Sequence, residues 1–408
     1  MAAIVATTAV VVPLATVAQP AGASTLDVAP TAKILITMRG NGHGHGMSQY
    51  GARGAAIAGK SYSSILSFYY PGTTQVVLAW SLIRVRISGT GPFTTVAASS
   101  GLTVTGRSGI LPTSGIAKYR LVPNSTTGLT LQQLPTGTAT WRNYADGLPN
   151  RADFHRTNAP IRIFDGDNSG ASSGYLGYVS AVRNRPSGSA GGVSTVNRIS
   201  LDGYTAGVVP QEIPASWQTQ AVYAQAVAAR TYGRYAVEHA LRGSEYDLCD
   251  TSSCQVYGGY ARYDAQGREL YRDLHSVSSA TSNRVLRYRG STIFAQFAAS
   301  NGGWTVAGGQ PYLVTERDIY DTSRAGDPYL DYTRTVTARS VASYYGLATL
   351  TKIVVTTRDG NGAWGGRADT GYVQGTDNAG RKVTINTTGL GLQYALGIGT
   401  TWFSLTDA

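Results

Sequence analysis

The chain has 408 residues, 50 of them glycine, and only 14% are charged. This length excludes a minimal domain and implies two or three folding units, or one core with a sizeable insertion. Abundant Gly, Thr, Ser, Val and Tyr argue against a helical bundle and for a β-rich fold, and the net charge of +11 implies attraction to polyanions: nucleic acid, anionic lipid or anionic cell-wall polymer.

Residues 2–18 form an almost uncharged apolar run, and Ala21-Gly22-Ala23 follows as an A-x-A-type cleavage signal, so residues 1–23 read as a secretory signal peptide. No basic residue precedes the run. The competing reading, an uncleaved anchor, needs about 20 apolar residues, more than the run supplies. No other segment is long and apolar enough to span a bilayer, so no stable membrane insertion is expected after signal removal. For an exported basic chain the expected location is secreted or cell-wall-bound, and the expected partner is the wall, not nucleic acid.

A polar linker covers residues 24–32, and a strand-like run over 33–38 leads into GNGHGHGMSQYG, residues 40–51. His43 and His45 stand between glycines there; their i, i+2 spacing shares one face of a strand, but so much glycine leaves their direction open. Zinc catalysis would need a third ligand, and none lies nearby in sequence. Residues 50–70 carry Ile57, Ile65, Leu66 and Tyr69 at helical spacing and end at Pro71-Gly72, which predicts one or two short helices within a 33–75 segment. From 76 to 200 short alternating runs such as LIRVRIS, IRIF and GYVSAV predict a β-rich part resembling a barrel or sandwich. Residues 184–192, NRPSGSAGG, read as a flexible loop.

Residues 201–310 hold the chemistry. Pro214 suits the first turn of a helix, and Trp217, Ala221, Ala224, Ala228 and Tyr232 repeat every three to four residues along one face. An extended run over 204–210 is expected to deliver Glu212 to the loop just before that helix. Glu212 stands among Pro210, Ile213, Pro214 and Trp217, surroundings apolar enough to raise a carboxyl pKa for acid catalysis. The ordinary alternative is a helix-N-terminal carboxylate held by the dipole. No second carboxylate is near in sequence, so a paired-carboxylate glycosidase would need one from elsewhere. Cys249 and Cys254, the only cysteines, are expected to form a disulfide in an exported chain; the alternative is a zinc site completed by His239. Residues 285–305 read as a hairpin ending in Ser300-Asn301-Gly302-Gly303. The 311–408 tail reads as strands with a short helix near 391–397, closing the same domain. His155, His239 and His275 are isolated and read as structural.

The segment GYTAGVVPQEIPASWQTQAVYAQAVAARTY resembles the signature of the stage II sporulation protein D family, which includes the amidase-enhancer LytB proteins. The likeness lies in the Y-x-x-G-V-V-x-x-E-x-P core, in Ser216-Trp217 and in AQAVAARTY. Further matches are Gln255-Val256-Tyr257-x-Gly259, AASNGGWT at 298–305 and GLQYALGIGTTWFSL near the end. The family's G-x-G-H-G-x-G-M-S-Q-x-G-A element is present as residues 40–52, but it precedes the other motifs, whereas in the family it lies near the C-terminal end.

The resemblance implies a lytic transglycosylase acting on peptidoglycan glycan strands, with Glu212 as catalytic acid and no cofactor. The acid protonates the glycosidic oxygen after N-acetylmuramic acid, and the sugar's own 6-hydroxyl closes a 1,6-anhydro ring, so no second carboxylate is required. It makes His43 a candidate to bind substrate or orient the Glu212 loop, and Gln49 a candidate sugar contact. Tyr257 and Ser300, Asn301, Gly302 and Gly303 become candidate groove residues. Arg230 also matches; on one straight helix from Pro214 it would stand roughly 24 Å along, which leaves a distal sugar contact or a buried ion pair. The amidase-enhancer branch implies instead a non-catalytic wall-binding protein with a wall amidase as partner. The resulting expectation is an α+β, β-rich fold in which a barrel- or sandwich-like region packs with a helix-bearing catalytic core; a zinc hydrolase built on His43 and His45 is the remaining alternative.

Overall fold

A computed structural model describes residues 23–124, 128–166, 170–184, 192–272 and 279–408. The signal-peptide reading, the interior of the 184–192 loop and His275 lie outside these residues. The chain forms two compact units, Met1–His43 with Pro328–Ala408, and Gly44–Asp327.

The first unit is discontinuous in sequence. Its run KILITM alternates strictly, and Lys33–Met38 forms a strand whose Ile34, Ile36 and Met38 are fully buried. It lies antiparallel between two strands from the far end of the chain, Tyr332–Thr337 and Phe403–Asp407. The segment expected to be a bare linker contributes Ser24–Asp27, which pairs with Thr349–Arg358 at the edge of a four-stranded antiparallel sheet completed by Ala368–Thr376 and Lys382–Thr388. Helices Ala338–Tyr344 and Gly389–Leu396 pack Val341 and Leu392 into a core shared with Leu350, Ile353 and Phe403.

The second unit holds an eight-stranded and a six-stranded sheet that share one apolar core, including Val85, Val96, Leu121, Leu131, Phe154, Ile163 and Val179. Among the described residues no sheet closes into a barrel, so the β-rich α+β class stands in its sandwich-like form. Four helices matter for the site: α1 (Gln49–Ile57), α2 (Tyr62–Tyr69), α3 (Leu201–Glu212) and α4 (Thr219–His239). α4 is the alanine-rich helix expected from periodicity. Ala221, Ala224 and Ala228 are buried, and small side chains let α1, α2 and α3 approach it closely.

Two boundaries differ from the sequence reading. The run over 204–210 is helical, not extended: Ser200 caps α3 by accepting from the Gly203 N–H, and the helix runs through Pro210 to Glu212. Residues 214–217 make a turn, with Trp217 N–H donating to Pro214 C=O, and α4 begins only at Thr219. Glu212 therefore ends one helix, and a turn separates it from the start of the next. Among the described residues no helix is long and apolar enough to cross a membrane.

Candidate active site

Glu212 is half-buried. Its chain neighbours Val209 and Ile213 form a small apolar cluster with Val222 and Ala226, against which Trp217 packs. Burial raises its carboxyl above the ordinary range, and two hydrogen bonds pull the other way, from the Gln49 side chain and the Val256 backbone. Gln49 Nε2 donates to Oε2 at 3.2 Å, and Val256 N–H donates to Oε1 at 3.3 Å. The position at the C-terminal end of α3 adds to the upward push, since unpaired carbonyls there carry partial negative charge.

Each donor is delivered by its own local structure. The strand Met47–Ser48 pairs in parallel with Phe297–Ala298 and runs directly into α1. Ser48 caps α1 by accepting from Gly51 N–H at 3.0 Å, and its own hydroxyl donates to Asp321 at 2.8 Å. Gln49, the first residue of α1, is thereby turned toward Glu212. Val256 arrives on a loop that lies against α3, with Gly258 N–H donating to Gly207 C=O at 3.0 Å. Only glycine fits at 207: a Cβ there would stand 2.5 Å from the Tyr257 ring and 2.7 Å from Gly259 O. The cysteines Cys249 and Cys254 are joined as a disulfide just before this loop.

Three further residues complete the neighbourhood. Tyr50 packs on Trp217 with ring centroids 4.9 Å apart, and the Arg53 guanidinium lies 5.1 Å above the same indole. The Arg53 Nε is buried with no hydrogen-bond partner among the described residues. Sequence reasoning missed Tyr50, Arg53 and the Val256 N–H. The spacing of Tyr50 and Arg53, three apart on a helix that starts at Gln49, was the available signal.

Residues 189–288, which include α3, α4 and Val256, match the family model for stage II sporulation protein. Over that region the chain is similar to the stage II sporulation protein family. It is 36% identical over 121 residues to the amidase enhancer of Bacillus subtilis (strain 168), an overlap of 28% of this chain and 15% of that one. It is 32% identical over 162 residues to stage II sporulation protein D of the same organism, covering 35% of this chain and 45% of the relative. Stage II sporulation protein D of Bacillus amyloliquefaciens is 32% identical over 144 residues, 31% of this chain and 41% of the relative. The chain thus spans less than half the length of these relatives. The matched family region holds Glu212, whereas Gln49, which bonds to it, lies outside that region.

Several expected groove residues are placed elsewhere. Arg230 is 0% exposed; its Nε donates to Asp202 at 2.6 Å and its guanidinium also reaches Thr281 and the Arg284 carbonyl. It ties the start of α3 to α4 and is closed to a sugar. Tyr257 is core, 4% exposed, its hydroxyl donating to Asn197 and its ring packed with those of Tyr204 and Tyr175. Ser300, Asn301 and Gly302 are buried on three aspartates: Ser300 donates to Asp321 and Asp327, Asn301 Nδ2 to Asp318, and the Asn301 and Gly302 backbones to Asp321, while Gly303 N–H donates to Asn301 Oδ1. They brace the unit from within. The physical reason is the same in each case: a motif shows a required residue but not the side from which it is packed. His45 shares a 3.1 Å contact with the Val306 carbonyl, and His43 belongs to the other unit. His239 contacts the Tyr235 carbonyl and stacks on that ring, and the cysteine sulfurs are bonded to each other, so no zinc set of these three forms.

Proposed function

We propose that the chain is an exported lytic transglycosylase that cleaves peptidoglycan glycan strands after N-acetylmuramic acid. One observation supports this above the others: a half-buried carboxyl whose affinity for its proton is raised by burial and moderated by two N–H donors, with no charged partner among the causes of the shift. In this reading Glu212 donates its proton to the glycosidic oxygen as the C1–O bond breaks. The sugar's 6-hydroxyl oxygen bonds to C1, and its proton returns to Glu212, so acid and base are the same group and no water is consumed. Gln49 and Val256 stabilise the carboxylate that exists between the two transfers. Tyr50 and Trp217 offer aromatic faces for pyranose rings, and Arg53 a guanidinium for the muramic carboxylate. The net charge of +11 holds the protein against anionic wall polymers, less tightly as salt rises.

The test is incubation of the mature chain with wall glycan, intact and stripped of stem peptides, followed by mass analysis of released sugars. Anhydro ends are expected, falling roughly 10²–10⁴-fold in Glu212→Gln. A second reading is favoured by the likeness to an amidase enhancer: a protein that binds wall and assists a separate amidase. Retained glycan binding with no anhydro product from either substrate would decide for it.

A further inference from the structure

Resting on the glycan reading above, we infer that a pocket at the far end of α4 is a second, anion-selective saccharide site that grips the strand away from Glu212. The pocket has a volume of about 630 Å³ and is walled by Tyr235 and His239 of α4, by Arg287, Tyr288 and Arg289, and by Tyr312. Glu212 precedes the N-terminal end of α4 and the pocket lies at its C-terminal end, so about 30 Å of helix separates them at 1.5 Å per residue. A single sugar cannot touch both, whereas a polymer can.

Three independent features give the pocket its chemistry. Tyrosine rings, the Tyr288 and Tyr312 centroids 5.7 Å apart, line it with the amphipathic surfaces on which pyranose faces stack. Its charge is cationic: Glu238 is already paired with Arg234 at 2.8 Å, which leaves Arg287 and Arg289 uncompensated by it. The Arg287 Nε is buried and has no hydrogen-bond acceptor among the described residues, an omission that a bound oxyanion would repair.

The third feature is backbone strain. Tyr288 pairs with Ser291, so Arg289-Gly290 is a two-residue hairpin turn, and both residues are left-handed, with φ of 49° and 86°. Glycine is at ease there, but the first position favours asparagine, aspartate or glycine. An arginine held in that conformation, its guanidinium 5.3 Å from the Tyr288 ring centroid, is kept at a cost in stability beside the pocket. The ligand class that answers tyrosines and paired arginines together is a carboxylate-bearing pyranose, the N-acetylmuramic unit of the strand.

The experiment measures affinity in the Glu212→Gln background, where no ligand is consumed, using peptide-free glycan strands, uncharged N-acetylglucosamine oligomers and poly(glycerol phosphate). Arg289→Asn relieves the turn, so its Tm should equal or exceed that of the parent while glycan affinity drops about tenfold, the scale of one lost charge-assisted contact. The uncharged oligomers should bind more weakly than glycan and show no response to the substitution. Unchanged glycan affinity in Arg289→Asn and in Arg287→Gln would overturn the proposal, as would a response confined to poly(glycerol phosphate). Because the readout is binding, absence of anhydro product would defeat the catalytic reading alone.

Discussion

A carboxyl at the C-terminal end of a helix meets unpaired carbonyl oxygens, and Glu212 meets an apolar cluster as well. Its ionised form is tolerated because two N–H groups point at it, and only one belongs to a side chain. Gln49→Met keeps the volume and removes that donor. The carboxyl should then hold its proton to higher pH, so the alkaline limb of the kcat/KM profile moves upward while the rate falls by about tenfold; a merely structural role would lower the rate without moving the limb. The apolar setting of Glu212 was legible in sequence from Ile213 and Trp217 beside it. The partnership with Gln49 was not, since 163 positions separate them. Arg230 and Tyr257 show the converse: residue type suggests sugar contact, and only packing reveals an ion pair with Asp202 and a core ring.

α4 was readable because alanine recurs at helical spacing and Ala is the best helix former. α3 was not, for its sequence LDGYTAGVVPQE contains two glycines, two adjacent valines and a proline, a set whose intrinsic preference opposes helix. It is helical because burial on nearly every side and the Ser200 cap outweigh that preference. One of those glycines is what lets the Val256 loop lie against the helix. Gly207→Ala would improve propensity yet force a Cβ into Tyr257 and Gly259. We expect it to destabilise by about 1–3 kcal/mol, as overpacking does, measured by urea unfolding, with activity falling further as the Val256 N–H retreats. A gain in stability would show the contact to be soft. The strand Lys33–Met38 and the two short helices before residue 70 were legible from their periods, as the sheet order was not.

Across the whole molecule the net charge is positive, yet the interior of the second unit gathers Asp318, Asp321 and Asp327. Burial, the hydrogen bond and charge of Asp327, and the charge of Asp318 hold the Asp321 carboxyl well above its ordinary range; burial likewise raises Asp318. A folded pKa raised for an acid means that the native state binds the proton more tightly than the unfolded state, so stability falls as pH climbs from the ordinary carboxylate range through the raised value. Asp321→Asn mimics the protonated form and still accepts from Ser48. Its Tm relative to wild type should improve between about pH 4 and about pH 8, and a constant difference across that span would refute the assignment. The first unit has a consequence of another kind. Its strand Lys33–Met38 lies beside the last, Ile34 facing Asp407, and Ala408 N–H donates to Lys33 C=O. A chain opened after the glycine-histidine element and joined where these two strands lie side by side would carry that element near its C-terminal end. Such a rearrangement would give the motif order of the family pattern that this sequence resembles.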